Sequence, residues 1–78
     1  MSNFIQPPKS EECTWSSGPP PEIGWWPASF SKDPRSLRYW NGQWWSYYVS
    51  DACDSKQAER VMVQKAKQDG ILWCQRWW

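Results

Sequence analysis

Asn41 and Gly42 stand between two aromatic runs, Leu37-Arg38-Tyr39-Trp40 and Gln43-Trp44-Trp45-Ser46-Tyr47-Tyr48-Val49. Both residue types tolerate positive φ, which a two-residue type I′ hairpin turn requires at both central positions. Such a turn fixes a register, with Trp40 opposite Gln43, Tyr39 opposite Trp44, Arg38 opposite Trp45 and Leu37 opposite Ser46. Side chains alternate across a strand. One face is therefore expected to carry Leu37, Tyr39, Trp44, Ser46 and Tyr48, and the other Arg38, Trp40, Gln43, Trp45, Tyr47 and Val49. Both faces are aromatic, whereas a hairpin with one wet side alternates apolar with polar residues.

Three further elements follow from local pattern. Ile23–Phe30 reads as a short strand, placed at an edge or broken at Pro27, which cannot donate to a ladder. Residues 51–69 change to a helical period: Ala58, Val61, Met62 and Ala66 share one face, Ser50 or Asp51 caps the start, and Gly70 ends the helix. Ile71–Trp78 is rich in β-favouring residues and reads as a last strand. Residues 1–21, with Pro7-Pro8 and Pro19-Pro20-Pro21, read as a flexible Pro-rich tail in which Phe4, Ile5 and Trp15 are free to pack back or to grip a partner. The expected fold for 22–78 is α+β: an antiparallel sheet of three to four strands, in the order β-β-β-α-β, with one helix on one face.

A chain of 78 residues makes one small domain and needs dense packing or a staple. Nine Trp can supply the packing, since each ring buries about 150–250 Å². Lys and Arg number 9 against 8 Asp and Glu, which fits neither an acidic nucleic-acid mimic nor a strongly basic binder. No apolar run is long enough to span a membrane. The first residues, MSNFIQPPKSEEC, lack the basic and apolar regions of a secretory signal, so a cytoplasmic address and reduced thiols at Cys13, Cys53 and Cys74 are expected. Three scattered Cys without His do not make a zinc site. The absence of His removes the commonest general acid–base, and the carboxylates form no convincing catalytic pair. No catalytic residue, metal or cofactor is expected.

The stretch from Gly24 to Ser46 carries the pattern Gly24-Trp25-Trp26-Pro27, a polar spacer, then Arg38-Tyr39-Trp40-Asn41-Gly42-Gln43-Trp44-Trp45-Ser46. It resembles a short Trp-rich bacterial domain of unknown function whose pattern is roughly G-W-Y-P-D-P, a spacer, then R-Y-W-D-G-x-x-W-T. It is also similar to small phage and prophage accessory proteins that repeat the same theme. Asn41 replaces the more common Asp, and residues 50–78 fall outside the motif. The resemblance implies an Asn-Gly hairpin module and a phage or prophage setting; it implies no particular activity.

Core packing accounts for most of the rings. One short helix covers one face of the sheet, however, so the aromatic residues on the other must be covered by the tail, by a second copy in a homodimer, or by a partner. Exposed aromatic patches mark interaction sites, and Trp, Tyr and Arg dominate binding hot spots. Arg38 opposite Trp45 and beside Trp40 is expected to form a guanidinium–indole stack, worth roughly 0.5–2 kcal/mol. The expected partner-binding set is Arg38, Trp40, Trp45, Tyr47 and Arg35. These residues point to non-enzymatic binding of a partner protein, and the phage or prophage setting that the resemblance implies makes inhibition of a host or anti-phage defence protein the expected function. Lys32, Arg35, Arg38 and Arg76 among aromatics also fit a stacking platform for single-stranded nucleic acid, with the balanced charge against it. A carbohydrate-binding module is a third reading.

Overall fold

The computed structural model describes residues 6–78. Strands β1 (Gly24–Ser29), β2 (Ser36–Trp40), β3 (Trp45–Ser50) and β4 (Leu72–Trp73) form an antiparallel sheet in the order β3-β2-β1-β4. Helix α1 (Ser55–Val61) lies between β3 and β4 in the chain. The class is α+β, with the element order expected from the sequence.

Pro27 lies within an interior strand that runs unbroken through it, neither at the edge nor at the break expected for it. Its carbonyl accepts from the Cys74 N–H at 3.0 Å. In an antiparallel ladder the nitrogen and carbonyl of one residue point to the same neighbour. The missing donor therefore faces Cys74, the return bond cannot form, and β4 stops at Trp73 instead of running to the C-terminus. Past that point a side chain replaces the ladder. Arg76 Nε donates to the Trp25 carbonyl at 2.8 Å, its guanidinium carbon lies 4.0 Å from the Trp26 ring centroid, and it forms an ion pair with Glu22. Gly24 accommodates this contact: its φ is +143°, and a Cβ there would sit 2.7 Å from Arg76 Nη2.

The hairpin turn is longer than two residues. Asn41 is not at positive φ, and among the described non-glycine residues only Lys32 is. The Asn41 carboxamide instead accepts from the Gln43 and Trp44 N–H groups at 2.8 and 2.9 Å, the local bonding that Asn offers as an alternative to I′ geometry. Four residues, Asn41 to Trp44, thus separate Trp40 from its partner Trp45. A β-bulge follows: between the pairs Trp40–Trp45 and Arg38–Tyr48, the single residue Tyr39 faces both Ser46 and Tyr47. The two-residue shift at the turn keeps Trp40, Trp45 and Arg38 on one face. The one-residue bulge then exchanges faces beyond it, so Tyr48 joins Arg38 and Val49 joins Leu37.

The core lies on the face of Trp26, Ala28, Trp45 and the half-buried Trp40 and Trp73. Ala66 and Ile71 cover it from the chain after α1, so the covering element is an extended segment where the sequence predicted helix. This segment runs along the outer edge of β3: Tyr47 N–H donates to Gln64 O, and Ala66 N–H to Trp45 O, at 2.8 and 3.0 Å. The Gln68 carboxamide clamps Trp45, accepting from its N–H at 2.6 Å and donating to its carbonyl at 2.9 Å. Pairing an otherwise open strand edge outweighs the remaining helix propensity, since a helix this short is marginal by itself. The helix that does form is capped by Asp54, whose carboxylate accepts from the Gln57 N–H at 2.8 Å. Ser50 and Asp51 lie ahead of it. On the opposite face Trp25 and Tyr39 pack edge to face at 5.4 Å. Trp25, Leu37 and Val49 there border a cleft of about 350 Å³ shared with Ala58 of α1, Trp77 and Trp78.

Residues 10–20, read from sequence as part of a flexible tail, are tied to the sheet. Ser16 exchanges two backbone hydrogen bonds with Trp73, at 2.8 and 2.9 Å, on the outer side of β4. Phe4 and Ile5 lie outside the described residues. Indole N–H groups fasten the irregular segments: Trp15 to Ser10 O, Trp73 to Gly18 O, Trp26 to Glu22 O and Trp77 to Pro34 O, at 2.8–3.1 Å. Carbonyls in Pro-rich chain have few backbone donors available, and Trp brings one on a large apolar ring.

Three substitutions test these assignments. Gly24→Ala places a side chain at φ +143° and drives Arg76 off Trp25 and Trp26; denaturant unfolding is expected to show a loss of about 1–3 kcal/mol. Trp77→Phe is expected to cost about 1 kcal/mol through the orphaned Pro34 carbonyl. Trp78→Phe, at a half-exposed ring, should change stability by less than about 0.5 kcal/mol.

Candidate partner-binding site

Arg38 is 4% exposed, in the middle of β2. Its Nε donates to the Ala28 carbonyl of β1 at 3.2 Å and its Nη1 to the Ser46 carbonyl at the bulge of β3 at 3.0 Å. Nη2 has no hydrogen-bond partner among the described residues. The guanidinium carbon lies 5.1 Å from the Phe30 ring centroid and 5.6 Å from that of Tyr48, within cation–π range of both rings. Both rings are well exposed, at 47% and 58%.

A cleft of about 340 Å³ opens at this point, lined by Phe30, Tyr48, Arg38, Asp33 and the serines at positions 29, 31 and 36. Among the described residues the one ion pair is Arg76–Glu22, so no carboxylate neutralises Arg38. Asp33 borders the cleft as an exposed carboxylate whose Oδ1 accepts from the Arg35 N–H, and it forms no ion pair with Arg38. Burial lowers the Arg38 pKa from its ordinary value, and Tyr48 acts in the opposite direction. A buried cation without a counter-charge is costly, and carbonyl dipoles and ring faces offset that cost in part. An incoming carboxylate would complete the compensation through charge-assisted hydrogen bonds.

The five residues expected to bind a partner do not form one surface. The Arg38–Trp45 stack is absent: Trp45 is 4% exposed and belongs to the core, packed on Trp40 at 5.1 Å. Trp40 is half-buried, at a shallow cleft with Gly18, Gln43 and Gln68. Tyr47 is 51% exposed on β3. Arg35 is exposed ahead of β2, and its carbonyl accepts from the Asp51 N–H. Asn41 and Gly42 occupy the hairpin loop. The residues that sequence reasoning missed are Phe30 and Tyr48. An assumed two-residue turn sends Tyr48 to the face away from Arg38. The alternative was legible only in the capacity of Asn to bond its own following backbone.

Comparison with protein-family models, curated proteins and solved structures finds no match to this chain. Among the described residues, no cluster of three or more Cys, Asp or Glu is placed to hold a metal ion. Nor is any helix long and apolar enough to cross a membrane.

Arg38→Met removes the donors of two buried carbonyls. Urea unfolding is expected to show a loss of about 2–4 kcal/mol. Arg35→Ala, at an exposed position, should stay within about 0.5 kcal/mol of the parent.

Proposed function

We propose that this chain is a non-enzymatic binding module that docks on a partner protein through the Phe30–Arg38–Tyr48 cleft and blocks the partner by occupying its surface. The observation that supports this most directly is a buried guanidinium with no counter-charge among the described residues, framed by two exposed rings. Exposed apolar patches rimmed by polar residues mark interaction sites, and aromatic–Arg clusters are frequent anchors of interfaces. The complementary group is an acidic side chain projecting from the partner. Its carboxylate meets Arg38 while its methylene stem packs between Phe30 and Tyr48. Rings lose little rotamer freedom on binding, which suits a small inhibitor. The resemblance of the Gly24–Ser46 stretch to small phage and prophage accessory proteins supports a host or defence protein as that partner.

Base stacking on the same rings is the competing reading, and salt separates the two. Phosphate contacts make affinity fall steeply with salt, whereas a single buried charge pair within an apolar contact responds weakly. Immobilised protein is expected to capture a host protein whose affinity drops about tenfold or more with Tyr48→Ala or Phe30→Ala. Trp78→Ala should leave it unchanged. Acetate should move the Arg38 side-chain NMR resonances at an ionic strength where chloride does not. Salt-sensitive binding of a single-stranded oligonucleotide, lost with the same two substitutions, would replace the protein partner by nucleic acid.

A further inference from the structure

The three cysteines are widely spaced in sequence, yet the fold brings two of them together. Cys13 follows the 3-10 turn Ser10–Glu12, and Cys74 follows β4. Both border one cleft of about 310 Å³, along with Glu12, Arg76 and Trp77. The Cys13 thiol donates to the Lys9 carbonyl at 3.5 Å, and Cys13 is close enough to Cys74 to push its thiol pKa up. The paired backbone bonds between Ser16 and Trp73 hold the two segments side by side nearby. Cys53 lies elsewhere, bordering the cleft of Trp25, Leu37 and Val49.

We infer that Cys13 and Cys74 are a redox site: a thiol pair that closes to a disulfide and locks the N-terminal segment onto the end of the sheet. The oxidant is a small-molecule disulfide of the oxidised glutathione class. Cys13 is partly exposed and Cys74 is 1% exposed, so Cys13 is the group an oxidant reaches first. The Cys13 sulfur, as thiolate, attacks one sulfur of the oxidant. This forms a mixed disulfide and releases one thiolate. Cys74 then gives its proton to solvent and attacks the Cys13 sulfur, which releases the second small thiol. One disulfide is made in the protein as the small-molecule disulfide is reduced to two thiols. Burial and the neighbouring Cys13 push the Cys74 thiol up to about 12, so the second step is the slow one. The closed loop spans roughly 60 residues and encloses the whole sheet, which restricts the unfolded chain strongly. This site is independent of the proposed partner-binding cleft.

The test uses the whole chain and its Cys53→Ser variant, incubated with oxidised glutathione. The expected product is a monomer that has lost two thiols and two hydrogens. Digestion under non-reducing conditions should give a Cys13–Cys74 cross-linked peptide. The thermal midpoint should rise by on the order of 10 °C, and a thiol reductant should reverse it. Cys74→Ser should stop at the glutathione adduct on Cys13. Because digestion of the unsubstituted chain reads the linkage directly, a poorly folding serine variant does not obscure the result. A stable adduct on Cys13 of the unsubstituted chain, a linkage through Cys53, or a disulfide-linked dimer would overturn the assignment.

Discussion

The bulge in β3 is the constraint on which the rest of this structure turns. By setting Ser46 and Tyr47 against the single residue Tyr39, it leaves backbone groups that need partners, because buried polar groups without them are costly. The Ser46 hydroxyl accepts from the Tyr39 N–H at 2.8 Å. The Ser46 carbonyl is met by Arg38, and the Tyr47 N–H by Gln64 on the outer edge. Each of these bonds has a wider consequence. The first holds the irregular ladder in register. The second draws a cation into the sheet, and the third recruits the chain after α1 as a cover for the core.

A second constraint acts at the other side of the sheet. Pro27 fixes how far β4 can follow β1, and Arg76 takes over where the ladder fails. Because β4 is the edge strand, its outer side is free to take up Ser16, and the N-terminal segment becomes part of the fold. The same geometry sets Cys13 beside Cys74. A proline that would weaken a longer strand here marks where the ladder ends and the segment around Cys13 and Ser16 lies against Trp73 and Cys74.

The tryptophans divide by role. Trp26 and Trp45 fill the core, with Trp40 and Trp73 packed against it. Trp15, Trp26, Trp73 and Trp77 also use their indole N–H groups to hold irregular chain in place. Trp78 is the large ring left half open at the C-terminus. The exposed aromatic residues around Arg38 are not tryptophans at all. Dense packing in a short chain, foreseen from composition, accounts for most of the indoles, and the candidate site is built from Phe and Tyr.

The α+β class, the order of the elements and the hairpin at Asn41-Gly42 were legible in the sequence, because they rest on local signals: alternation, a change of period and turn chemistry. The sharing of one face by Arg38, Trp40 and Trp45 was also legible, since an even register shift leaves faces unchanged. The partnership of Arg38 with Phe30 and Tyr48 was not, because a one-residue bulge reverses faces and no local pattern marks it. The extent of the helix was hidden for a related reason. Residues 64–68 give up helical bonds only because an open strand edge lies beside them. The meeting of Cys13 with Cys74 depends on a ladder that ends at Pro27, which is known only once β1 and β4 are paired. The sequence by itself determined which elements form and what they are made of. Tertiary structure decided register, burial and which distant groups touch, because those depend on backbone partners far apart along the chain.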